Sequence, residues 1–74
     1  MNRERRKKIK EIANKIRDCS ASLSFVKDEE DEARENIPEN LQDGEAYCTS
    51  EDCSDKIEDA ISELDAVVEN LEDI

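Results

Sequence analysis

Residues 57–74 read IEDAISELDAVVENLEDI, and their pattern decides the fold. Apolar side chains stand at Ile57, Ala60, Ile61, Leu64, Val67, Val68, Leu71 and Ile74, in a seven-residue repeat, AISELDA and then VVENLED. That period is helical, because residues three and four apart share one face of an α-helix. Three of every seven positions are apolar. A stripe that wide suits a helix packed against more than one neighbour, rather than a thin two-stranded seam.

Just before the repeat, TSED (49–52) fits a capping box, with Thr49 as N-cap and Asp52 in place of the usual Glu or Gln. Cys48 and Cys53 then occupy the two positions that pack as a hydrophobic staple, each thiol acting as a small apolar group. A Cys48–Cys53 disulfide in an oxidised sample and a metal or reactive-thiol role are the weaker alternatives. A zinc site takes four ligands at short spacing, whereas this chain has three cysteines and no histidine. Cys19 falls at a core position of the other helix.

That other helix is marked by Ile9, Ile12, Ile16, Cys19, Leu23, Val26, Ala33 and Ile37, a heptad stripe interrupted at Glu30. The spacing predicts a helix from near Arg3 that ends before Pro38, since the residue preceding a proline is pushed out of the helical region. At ~1.5 Å per residue it would be about 50 Å long. The acidic run KDEEDEAREN (27–36) keeps helix-forming residues, with a tendency to fray. Between the two helices lies IPENLQDGEAYCTS (37–50), which holds the only Pro and the only Gly and is expected to contain one helical turn around residues 39–42.

Composition narrows the function classes. The chain has 74 residues, 45% of them charged, and a net charge of −11. One domain is the ceiling at this length, and so small a domain needs a staple, a partner or very regular helix packing. The absence of His removes the usual general base and the commonest metal ligand. Two aromatics, Phe25 and Tyr47, cannot build a base-stacking platform. No apolar run approaches a membrane span, and MNRERRKKIK lacks the apolar segment of a secretory signal, so a cytoplasmic protein with reduced thiols is expected.

Charge is unevenly placed. Residues 1–17 carry eight basic groups against Glu4 and Glu11, or +6, and the other 57 residues carry −17. Arg3, Arg5, Arg6, Lys7, Lys8 and Lys10 form a candidate patch for nucleic acid or an anionic membrane. The favoured reading is internal neutralisation, because an antiparallel hairpin lays the acidic end of the second helix (Glu63, Asp65, Glu69, Glu72, Asp73) beside this basic start. Asp28, Glu29, Asp31, Glu32 and Glu35 form a candidate acidic partner surface. Ordinarily such a row is a solvated face, but carboxylates on a stiff rod also mimic a phosphate backbone.

The segment KDEEDEARENIPENLQDGE (27–45), followed by AISELDAVVENLEDI (60–74), resembles a group of small acidic helical proteins of phages and prophages. They share an acidic helix, an Asn-x-Pro-Glu-x-Leu-Gln turn (here Asn36, Pro38, Glu39, Leu41, Gln42) and a heptad-repeat helix, and the NRERRKKI opening also fits. The chain departs from the group in EAYCTSEDCS, which brings the cysteines. The resemblance implies an accessory protein of a phage or mobile element, a class whose small acidic members often block host defence or nucleic-acid enzymes.

The expected fold is all-α: a single helix–loop–helix hairpin, with helices over about 3–36 and about 50–73 and a loop over 37–49, paired into an antiparallel dimeric coiled-coil or bundle. Ile57, Ile61, Leu64, Val68, Leu71, Ile12, Ile16 and Leu23 are the expected core and dimer residues. With no nucleophile–base pair, phosphate loop or metal cluster in the sequence, no enzyme, cofactor or metal is expected. The expected function is a non-enzymatic accessory protein that forms a homo-oligomer and binds, and inhibits, a host protein in the host cytoplasm. A purely structural oligomerisation module and a nucleic-acid binder acting through the basic arm are the alternatives, nucleic acid being the less favoured partner and a membrane not expected.

Overall fold

Asn2 starts the first helix: its backbone is extended and its side-chain Oδ1 accepts from the Arg5 N–H at 2.9 Å. Helix α1 then runs unbroken over Arg3–Glu35 in this computed structural model, which describes all 74 residues. The acidic run is helical through Glu35. Lys27 and Arg34 each pair with Asp31, at 2.9 Å and at spacings of four and three, within the last turns. Asn36 ends the helix two residues before Pro38, where the proline rule places the end.

A single 3₁₀ turn over Glu39–Leu41 follows, in the place expected for one helical turn. Helix α2 occupies Glu45–Glu72, five residues longer at its start than the capping-box reading requires. The N-cap is Gly44, in extended conformation, and its carbonyl receives the Cys48 N–H at 3.2 Å. Glu45 opens α2 at the positive end of its dipole, and Ala46 is a strong helix former. Thr49 is therefore an interior residue and caps nothing, and Cys48 and Cys53 do not form a staple. The loop contracts to residues 36–44.

The two helices pack side by side and antiparallel, with no strand in the chain, into a rod of 60 × 14 × 11 Å. Its seam differs from the stripe read in the sequence. The column Ile9, Ile16, Leu23 faces α2, but its inward companions are Ala13, Ser20, Lys27 and Arg34, not Ile12, Cys19, Val26 and Ala33. From α2 the seam takes Ser50, Ile57, Leu64 and Leu71 with Ser54, Ile61 and Val68.

Polar pairs explain the choice. The column 9/16/23/30 can pivot either neighbouring column inward. Only one choice lets the Ser20 hydroxyl donate to Asp65 (3.3 Å) and brings Arg34 onto Ser50 and Ser54 (3.3 and 2.9 Å). Ala13, 1% exposed, lets the helices approach in the open half of the hairpin, where it and Val68 are the only buried apolar residues.

Candidate interaction face

Rotating the heptad stripe one column leaves apolar side chains facing outward on both helices. On α1 the outer column is Ile12, Cys19, Val26 and Ala33; on α2 it is Cys53, Ala60, Val67 and Ile74. The two lie on the same side of the hairpin, since Val26 and Ala33 line one shallow groove together with Cys53 and Ile57. Seven-residue spacing in both helices carries that face along the rod. Ile12, Val26, Val67 and Ile74 are 50%, 50%, 43% and 51% exposed. The wide stripe on α2 thus has one neighbour within the chain and a second side left open.

The surface area is that of an elongated molecule. The chain exposes 5956 Å² at 8.5 kDa. A compact monomer of that mass exposes about 4,700 Å², and the rod of 60 × 14 × 11 Å carries the excess of roughly 1,300 Å².

Of the eight expected core and dimer residues, Ile16, Leu23, Ile57, Ile61, Leu64 and Leu71 are half-buried in the seam and Val68 is buried there. Ile12 lies instead on the outer face. Cys19, expected in the core, is exposed in the same column, and all three thiols are free and exposed. Cys48 and Cys53, five residues apart on one helix, point about 140° apart around its axis, away from the geometry a disulfide needs.

The basic arm is less neutralised than expected. Arg3, Arg5, Arg6, Lys7, Lys8 and Lys10 are exposed on the first turns of α1. The antiparallel hairpin does bring the acidic end of α2 alongside, yet Arg17–Glu72 is the single ion pair made between the helices.

The candidate acidic surface divides in two. Asp28, Glu29, Glu32 and Glu35 are exposed, with Phe25 standing among them, 70% exposed, on the side of α1 turned away from α2. Asp31 is drawn into a polar network that replaces an apolar core in the loop half of the hairpin. Its Oδ1 accepts from the Ser54 hydroxyl at 2.7 Å and from Arg34, and its Oδ2 accepts from Lys27. Those hydrogen bonds, first from Ser54 and then from Lys27, hold the Asp31 carboxyl well below the usual carboxylate range. The Lys27 ammonium is raised in turn, chiefly by its hydrogen bond to Asp31. Ser50 bridges the helices as well, donating to Glu30 at 2.8 Å, and Arg34 lies over the Tyr47 ring, 6.0 Å from its centre.

No protein-family model, curated protein or solved structure matches the chain. Sequence reasoning did not identify Ser50, Ser54 and Arg34, because it tracked apolar residues. A signal was present: Ser50 and Ser54 stand at heptad positions in line with Ile57 and Ile61, and a polar residue in a core column calls for a partner across the seam. No helix is long and apolar enough to cross a membrane.

Proposed function

We propose that this protein is a non-enzymatic interaction module that self-associates through its outer apolar face and presents its acidic surface to a host protein. The observation carrying the reading is the pair of outer columns, apolar at heptad spacing and exposed but for the half-buried Ala60, on one side of a hairpin that buries only five residues. Such a face is costly in water and is characteristic of an unfilled interface. Residues that pack two helices within the chain leave half of the α2 stripe for another helix pair.

The host-facing part is Phe25 with Asp28, Glu32 and Glu35. A lone aromatic ringed by acids is the form an interface anchor takes, with the ring filling a pocket and the carboxylates meeting a basic rim. The resemblance to small acidic phage proteins supports a phage or mobile-element accessory role, with inhibition of a host defence or nucleic-acid enzyme as the outcome. Affinity capture from host lysate, compared between the native chain and Phe25→Ser/Glu32→Lys, tests this. A protein captured by the native chain and lost by the variant is expected. Capture of nothing, or equal capture by both, overturns it.

The unpaired basic arm favours a second reading, a nucleic-acid contact through Arg3 to Lys10. Binding of duplex DNA at physiological salt, weakening steeply as salt rises, would establish it. Absence of any shift at low salt would remove it.

A further inference from the structure

The hairpin is electrically lopsided along its length. Ser20 and Asp65, joined by a hydrogen bond, mark a cross-section near the middle of α1. On the open side of it, residues 1–19 and 66–74 hold eight basic and six acidic groups, or +2. On the loop side, residues 20–65 hold three basic and sixteen acidic groups, or −13. The whole net charge of the chain, and slightly more, sits in the loop half of a 60 Å rod.

We infer that the outer apolar face is covered by a second copy of this chain lying antiparallel, with the two loops at opposite ends and α1 beside α1 of the other copy. This rests on the self-association reading and fixes its geometry. The face runs at heptad spacing along both helices of a 60 Å rod, so a second copy, equal in length and period, covers it from end to end.

Direction follows from the end charges. With loops together, the two −13 halves would lie within a helix diameter of each other, inside the about 10 Å over which charges act at 0.1 M salt. With loops apart, each acidic half meets the +2 half of the other copy, where the arginines and lysines of the basic arm are unpaired.

The rim of the face is consistent with that direction. Lys8, Lys15 and Glu29 lie in the column of α1 next to Ile12, Cys19 and Val26. A two-fold axis at the level of Ser20 places Glu29 of one copy between Lys8 and Lys15 of the other. The rim alone accepts either direction, and the end charges decide between them.

Two native cysteines on the face report the arrangement. Cys19 is one residue from the level of the two-fold axis, so the two copies of it come together. Cys53 is twelve residues from Asp65 toward the loop, or about 18 Å. Two copies of Cys53 are then about 36 Å apart along the rod with loops opposed, and side by side with loops together.

The experiment uses the full chain with one face cysteine retained, as Cys48→Ala/Cys53→Ala or as Cys19→Ala/Cys48→Ala, treated with a short bis-maleimide. Masses are measured by light scattering before treatment. Efficient cross-linking through Cys19 and none through Cys53 is expected. Cross-linking through Cys53 at a comparable rate, or through neither in a protein of dimer mass, overturns the antiparallel arrangement. A monomer mass in both variants and in the native chain overturns the self-association reading itself.

Discussion

The Ser54 hydroxyl donates to Asp31 across the two helices at 2.7 Å, and the same carboxylate also receives Arg34 and Lys27. One acid thus ties the acidic end of α1 to itself and to α2. The relationship explains why a run with six acids between residues 28 and 35 stays helical: two cations inside the run, Lys27 and Arg34, converge on one of its acids.

Asp31→Asn should therefore lower thermal stability at neutral pH, and the difference from the native chain should narrow progressively in acid. The folded carboxyl is held below its unfolded value, so its contribution is fully present above the unfolded pKa of about 3.9 and is lost as pH falls through the folded value. Melts followed by circular dichroism at pH 7, 5, 4, 3 and 2 would check this. The gap between native and variant should be flat from pH 7 to 5 and shrink below 4.

Thr49→Ala should change stability by less than about 0.5 kcal/mol, with the sign favouring the variant, because alanine is the better residue inside a helix. Loss of a true N-cap would instead cost about 0.5–2 kcal/mol. Gly44→Ala should be the costlier of the two, through crowding at the helix start rather than loss of a capping side chain. Gly44 is the actual cap, and a Cβ there would meet the Leu41 carbonyl at 3.1 Å. Denaturant titration of the two variants side by side locates the start of α2.

Ala13→Leu should destabilise the hairpin by about 1–3 kcal/mol through overpacking. Ala13 is buried against α2 where the helices come closest to filling their seam. Ile12→Leu, one residue away but on the outer face and equal in volume, should shift the melting temperature far less.

The hairpin, the end of α1 and the 3₁₀ turn were legible because heptad spacing, Pro38 and the turn residues act locally. The start of α2 was not. TSED satisfies the capping pattern, but Gly44 and Glu45 offer an earlier start, and the added turn sets Tyr47 beneath Arg34 of α1, a partner beyond what a local pattern records. The apolar stripe of α1 was legible as a stripe, but not its partner. Ile12 and Val26 obey the same period as Ile9 and Leu23, and a period alone does not say which side of a helix meets its own chain.

The central claim is that the outer face of the hairpin is an interface between copies of the chain. The mass of the native protein by light scattering, set beside that of Val26→Glu/Val67→Glu at the same tens-of-micromolar concentration, tests it most directly. The account predicts twice the 8.5 kDa chain mass for the native protein and a single chain mass for the variant, with helicity retained at low temperature. A native protein that is fully helical and monomeric at that concentration, or a variant that remains a dimer, would contradict it.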